Sequence, residues 1–306
     1  MASYRFLTAD VFTERAFGGN QLAVLPDARG LGDAQMQAIA REFNLSETVF
    51  VLPAEEHNHF RRLRIFTPGQ ELPFAGHPTI GAAFVLASID EIHLTGEATH
   101  IVFEEGAGPV PVSIASRDGT PVAAMLTAPR IPRPGPAPPD TAVLAAILSL
   151  KSDELLRDRW KPEAFSCGVP FLFVAVRDRV VLASIELRMS DWETSLRDYW
   201  APSIFAFCRD PEGPTSDFRA RMFAPDMGIS EDPATGAAVA AFAGYLGTRI
   251  EDASERHAWT IEQGFEMGRP SILELEVEFG AGAISAVRVG GSSVLVSEGA
   301  IEVPES

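Results

Sequence analysis

The chain has 306 residues, 46% of them hydrophobic, and a formal net charge of −17. The length implies about two domains with ample core, and the acidity repels nucleic acid and anionic membranes, which excludes both as partners and otherwise reads as solubility. Two cysteines, Cys167 and Cys208, are too few for a disulfide framework or a thiolate zinc site and suit a reducing cytoplasm.

From the N-terminus, "YRFLTADVF" and "NQLAVLPD" alternate as strands. No basic region followed by an apolar stretch precedes them, so no secretory signal is read there. "GDAQMQAIAREFN" has helical periodicity, with Asp33 expected to cap its start and Asn44 its end. "SETVFVL" and "RRLRIFT" read as strands. "HPTIGAAFVLAS" reads as a helix with Pro78 in the first turn, where a missing N–H costs nothing. "HIVFEE", "VPVSIAS" and "PVAAMLTA" are strands again.

Ala128 to Asp140 carries six prolines and reads as a domain linker. Beyond it, "DTAVLAAILSL" is a helix capped by Asp140, "FLFVAV" and "RVVLASI" are strands, and "SDWETSLRDYW" is a helix. "SIFAFCRD" and "FRARMFAP" are strands, and "DPATGAAVAAFAGYLG" is a helix too short to span a bilayer. "AWTIEQG", "SILELEVEFG", "SAVRVGG" and "SVLVSEG" close the chain as strands. Many short strands with two small-residue helices imply an α+β protein. No GxGxxG follows a strand, so a dinucleotide fold lacks its phosphate loop.

Two phrases repeat. Pro78-Thr79-Ile80-Gly81-Ala82-Ala83 and Pro233-Ala234-Thr235-Gly236-Ala237-Ala238 lie 233 − 78 = 155 residues apart, about half the chain. The expectation is two similar halves, each a sheet around its own helix, with both helix starts facing one cleft across a pseudo-twofold axis. Helix N-termini present unsatisfied N–H groups and partial positive charge, which hold a carboxylate without lysine or metal. His77 and Asp232, just before the prolines, then stand beside the anion with a proton to give or take.

Six phrases in order, "DVFTERAFGGNQLAVL", "AREFNLSETVFV", "RIFTPGQELPFAGHPTIGAA", "RMFAPDMGISEDPATGAA", "EQGFEMGRPS" and "VRVGGSSVLVSEG", resemble the PhzF-like phenazine-biosynthesis isomerases, part of the diaminopimelate-epimerase-like fold. The resemblance implies two barrel-like domains, each a mostly antiparallel sheet around a central helix, with the active site between them. The boundaries expected are 1–127 with a final strand of about 292–306, and 128–291. It implies a homodimer that isomerises a small carboxylic acid, as the namesake moves a proton across the ring of trans-2,3-dihydro-3-hydroxyanthranilate without metal or organic cofactor; the cytoplasmic location expected is the one the two cysteines suit. By the same resemblance Glu47, in Asn44-Leu45-Ser46-Glu47-Thr48, is the acid/base. His77 and Asp232 assist, and Gly76, Gly236 and Ala237 hold the carboxylate through the backbone. Ala237 stands where the namesake has serine, which removes a hydrogen bond worth about 1.5–3 kcal/mol to a charged group.

Each residue also has a plainer reading. Glu47 is a glutamate at a strand start, though its apolar neighbours favour burial and a raised pKa. His77 is a core histidine, and Asp232 an N-cap, which is compatible with a role at the substrate. Sequence leaves Glu47 and Asp232 interchangeable as acid and orienter. His57 and His59 read as a solvated loop rather than a metal pair, and Cys167 as a buried structural thiol. Arg269 reads as a substrate contact or a turn anchor. The rival functions are an amino-acid racemase or epimerase of the related fold, which needs facing cysteines absent from both helix starts, and a non-enzymatic member that binds a small acid or a protein.

Overall fold

The computed structural model describes residues 1–250 and 256–304. The chain divides into two compact units, Met1–Pro129 together with the chain from Gly290 onward, and Arg130–Val289. In the first lie β1 (Ala2–Val11), β2 (Asn20–Leu25), α1 (Asp33–Phe43), β3 (Glu47–Leu52), β4 (Arg61–Phe66), β5 (Glu71–Leu72), α2 (Gly76–Ser88), β6 (Ala98–Glu105), β7 (Gly108–Arg117) and β8 (Thr120–Thr127). In the second lie β9 (Arg133–Pro134), α3 (Thr141–Ile147), β10 (Glu163–Ser166), β11 (Pro170–Ala175), α4 (Arg179–Ala183), α5 (Met189–Ser195), β12 (Ser203–Cys208) and β13 (Phe218–Ala224). β14 (Ile229–Asp232), α6 (Gly236–Gly247), β15 (Arg256–Gln263) and β16 (Ser271–Gly280) follow, and β17 (Ala283–Val303) begins in the second unit and ends in the first.

The first unit is a closed barrel. β1 and β2 pair antiparallel, β2 and β3 parallel, β3 and β4 antiparallel, and β4 and β6 parallel. β6, β7 and β8 form an antiparallel meander, and β17 joins β8 to β1. The second unit repeats the scheme: β10–β11 antiparallel, β11–β12 parallel, β12–β13 antiparallel, β13–β15 parallel, β15–β16 antiparallel. In each half a short strand, β5 on β4 or β14 on β13, leads into the small-residue helix. The repeated phrase therefore marks a repeated topology.

α2 is buried from Gly76 to Ala87, and α6 nearly so. A helix apolar on every side must be enclosed, and α2 is flanked by β1, β2, β3, β7 and β8, α6 by β9, β10, β11 and β16. Small residues allow the approach. A Cβ on Gly81 would stand 2.5 Å from Leu22 Cδ2 and 2.7 Å from Val11 Cγ2, and one on Gly244 2.6 Å from Phe165 Cδ1 and 2.7 Å from Pro132 Cβ. The fillings differ. The second unit packs Phe173, Phe205, Phe207 and Tyr245 around Phe242, with ring centroids 4.7 to 5.6 Å apart, while the first relies on aliphatic residues such as Val11, Leu22, Val49 and Ile80. On the outside, α1 covers the barrel with Met36, Ile39 and Ala40 against Phe50 and Phe66, and Trp192 of α5 anchors the cluster under α3 and α4.

Several elements depart from the sequence expectation. "RVVLASI" is not a strand: Asp178 accepts the Val181 N–H at 2.9 Å and starts α4, and this cap outweighs the β-branched Val180-Val181 pair. Asp33 is the first residue of α1 rather than its cap. The capping position is Gly32, whose N–H reaches Gln35 Oε1 at 2.9 Å, while Asp33 binds Arg64 at 2.6 Å. Asn44 does end α1, in the left-handed conformation with φ 50°. Asp140 holds the N-cap position of α3 without a side-chain bond. "SAVRVGG" and "SVLVSEG" are one continuous strand, β17, and the expected final strand's residues 305–306 lie outside the described residues. Among the described residues no helix is long and apolar enough to cross a membrane.

Candidate active site

In the first unit, α1 stops at the left-handed Asn44, and β3 begins three residues later with Glu47, in register with Leu22 of β2. α2 begins at Gly76, so His77 lies inside its first turn, ahead of Pro78. The two side chains meet: His77 Nε2 is 3.2 Å from Glu47 Oε2, with the residues 5% and 9% exposed. Burial lowers the His77 pKa to about 3, against a hydrogen bond with the Gln21 main chain that acts the other way. The imidazole is therefore neutral near pH 7, and the contact joins a neutral ring to a carboxyl rather than two charges. Asn20, fully buried, places Nδ2 3.4 Å from His77 Nδ1 on the other side of the ring.

A second buried carboxyl underlies the same helix start. Glu105 ends β6, and strand alternation turns it inward with Phe103. Its Oε1 is 2.5 Å from Thr79 Oγ1, and that hydroxyl is also 2.8 Å from Ala75 O. A hydroxyl has one hydrogen and a carbonyl only accepts. Both contacts are thus satisfied together when Glu105 brings its own proton. Burial agrees, pushing the Glu105 pKa up to about 8 against an opposing hydrogen bond from the Ala75 main chain. At neutral pH the start of α2 is built on a neutral ring and a neutral acid.

In the second unit Asp232 ends β14 opposite Met222 and is 7% exposed. Its neighbour Glu231 is gripped by Arg221 through two bonds of 2.8 Å, while Arg221 Nη1 reaches the carbonyls of Leu182 and Ile185 at 3.1 and 2.9 Å, at the end of α4. Asp232 is not the N-cap of α6. That position is Thr235, whose hydroxyl makes no bond into the helix but donates to Asp232 Oδ2 at 2.6 Å. Gly236 and Ala237 follow as the first helical residues, where N–H groups have no acceptor within the helix.

The expected residues thus fall into two groups: Glu47, Gly76 and His77 in the first unit, Asp232, Gly236 and Ala237 in the second. Asn20, Glu105, Thr79 and Thr235 escaped sequence reasoning. For Glu105 a signal existed, since alternation in "HIVFEE" puts it on the apolar face. His57 is exposed and His59 binds Glu104 at 3.0 Å, and among the described residues no group of three His, Cys, Asp or Glu stands ready for a metal. Cys167 donates to Arg130 O at 2.7 Å, and burial pushes its thiol up to about 12, as a structural thiol requires. The Arg269 main chain closes a turn onto Gly264 O at 3.0 Å.

The family model described as phenazine biosynthesis-like protein matches residues 9–299. The chain is 40% identical to an uncharacterized isomerase of Mesorhizobium japonicum, over 98% of this chain and 99% of that one. It is 31% identical to the trans-2,3-dihydro-3-hydroxyanthranilate isomerase of Pseudomonas aeruginosa, over 97% and 98%. The crystal structure of a Bacillus anthracis PhzF-family phenazine biosynthesis protein superposes with a TM-score of 0.89 over 99% of this chain and all of that one, at 24% identity, which speaks to the fold. The chain belongs to the phenazine biosynthesis-like family, and it is an enzyme of the isomerase class.

Proposed function

We propose that the protein isomerises a small carboxylic acid, cyclic or amino-bearing, by acid/base proton transfer, in the manner of the trans-2,3-dihydro-3-hydroxyanthranilate isomerase it resembles. The observation that carries this reading is the buried approach of Glu47 to a neutral His77 at 3.2 Å. A neutral imidazole sets no fixed cation against the Glu47 carboxyl, which leaves that carboxyl available for the acid/base role. In this reading Glu47 moves the proton, and His77 positions the substrate and assists protonation. Asp232 orients the substrate, and main-chain N–H groups at Gly76, Gly236 and Ala237 hold its carboxylate and the charge that develops in the transition state. The mechanism needs side chains and main chain alone. A homodimer belongs to the same proposal on the strength of the family resemblance, and a reducing cytoplasm on the strength of two cysteines; light scattering on the purified protein checks the dimer.

A racemase with two facing cysteines finds no support: Cys208 ends β12 and Cys167 follows β10, and neither stands in 76–81 or 231–236. The test is turnover followed by NMR, with trans-2,3-dihydro-3-hydroxyanthranilate and a panel of cyclic and amino carboxylic acids, wild type beside Glu47→Gln. Conversion of one compound by wild type alone supports the reading. Binding without conversion of any compound replaces it with a small-acid-binding role, which the loss of a hydroxyl at Ala237 would suit.

A further inference from the structure

We propose that Gln263 is a positioning residue for Asp232, acting through the Thr235 hydroxyl, an inference that rests on the acid/base reading above. Gln263 ends β15 and is fully buried. Its Nε2 lies 2.8 Å from Asp232 O and 3.0 Å from Thr235 Oγ1, and its Oε1 accepts the Thr235 N–H at 3.2 Å. A primary amide has two N–H hydrogens and one carbonyl oxygen, and all are engaged here. Flipping the amide would set N–H against N–H and carbonyl against carbonyl, so its orientation is unique. Because the Thr235 hydroxyl accepts from Gln263, its single hydrogen goes to Asp232 Oδ2, 2.6 Å away. Donation runs in one direction, from Gln263 to Thr235 to Asp232.

The adjacent Gly264 supplies an independent sign that this loop is held to close tolerance. Gly264 has φ +76°, and a Cβ there would stand 2.5 Å from Pro233 O and from Arg269 O, and 3.0 Å from Pro233 Cα. All three are main-chain atoms that cannot swing aside. Glu231 is held by Arg221, the Asp232 carbonyl by Gln263, Pro233 by the close face of Gly264, and Thr235 again by Gln263. Helix stability does not account for the arrangement. A threonine at the N-cap stabilises a helix by accepting an N–H of the first turn, and Thr235 makes no such bond. Its hydroxyl is committed to the carboxylate instead, with its direction set by the buried amide.

The test uses the full-length protein with Gln263→Leu, Thr235→Val and Thr235→Ser, and two readouts. Amide hydrogen exchange by NMR needs no substrate: Gln263→Leu is expected to speed exchange at the Thr235 N–H by about tenfold or more while amides of β15 and β16 keep their protection. In turnover, Gln263→Leu and Thr235→Val are expected to lower kcat by about 10- to 100-fold with KM nearly unchanged, the scale of a small misplacement of a reacting group. The acid limb of the pH–rate profile should move in Thr235→Val, and Thr235→Ser should restore most of what Thr235→Val loses, which a purely structural role would not require. A kcat within about threefold of wild type for both Gln263→Leu and Thr235→Val overturns the inference while leaving the acid/base reading intact. If wild type converts no compound, the acid/base reading fails by itself. The exchange result then decides whether Gln263 fixes the Asp232 loop: faster exchange supports the clamp, and unchanged exchange at Thr235 overturns it.

Discussion

The starts of α2 and α6 come from matching phrases, yet they are built differently. α2 begins at Gly76, ahead of its proline, so His77 is helical and Pro78 occupies the first turn. α6 begins at Gly236, after its proline, so Asp232 belongs to a strand and Pro233 to a loop. The surroundings decide. Behind α2 stand groups made neutral by burial, the His77 ring and the Glu105 carboxyl. Behind α6 stand donors, the Arg221 guanidinium on Glu231, the Thr235 hydroxyl on Asp232 and the Gln263 amide. A repeat in sequence preserved the topology of the two halves, while their helix starts acquired different polar surroundings.

The largest effect expected from breaking this contrast is kinetic. Glu47→Gln keeps the shape of the α2 site and removes its titrating group, and turnover should fall by about 10²- to 10⁴-fold with the melting temperature little changed. Thermal melts alongside the rates separate lost chemistry from lost fold.

Next come two pH dependences of opposite sign at the same helix start. Glu105 holds its proton up to about pH 8 in the folded protein, against an ordinary value of 4.5. Between those limits the unfolded chain has released a proton that the native state keeps, so stability falls as pH rises, by at most ~1.4 kcal/mol per unit. His77 runs the other way. With a folded value of about 3 against 6.5, the unfolded chain binds the proton first, and stability falls as pH drops through that window. Denaturant unfolding at several pH values should show Glu105→Gln flattening the upper limb and His77→Asn the lower one. Equal slopes in wild type and variants would remove the neutral-start account of α2.

Smaller effects test the packing that both helices share. Gly81→Ala drives a methyl into Leu22 and Val11, and Gly244→Ala into Phe165 and Pro132. Each should cost about 1–3 kcal/mol in denaturant unfolding, as overpacked cores do, and Gly244→Ala the more, since a ring and a proline yield less than a leucine. Ala237→Ser, at a half-buried helix start, should leave stability within about 0.5 kcal/mol and lower KM for a substrate able to meet the hydroxyl, read from Michaelis curves.

Much of this is legible in the amino-acid sequence itself. Hydrophobic period marked most strands and both central helices, Asn44 announced the end of α1, and the P-x-x-G-A-A repeat foretold two halves of one design. What failed did so for identifiable reasons. Val180-Val181 looks like a strand until Asp178 is seen to cap it, a contact that depends on a loop conformation. Asp232 looks like an N-cap because helix periodicity continues back through Pro233, whereas pairing with Met222 claims it for a strand. Glu105 and Gln263 were hidden because a polar residue in an apolar phrase does not say which partner satisfies it. Their partners, Thr79 and Thr235, lie 26 and 28 residues away in sequence.

The most direct test of the account is solvent-proton transfer in D2O, followed by NMR, with the compound that wild type converts and with Glu47→Gln and Asp232→Asn in parallel. Deuterium should enter the substrate with wild type, fail to enter with Glu47→Gln, and enter slowly but measurably with Asp232→Asn. Exchange that persists in Glu47→Gln and vanishes in Asp232→Asn would contradict the assignment and move the acid/base role to the α6 start.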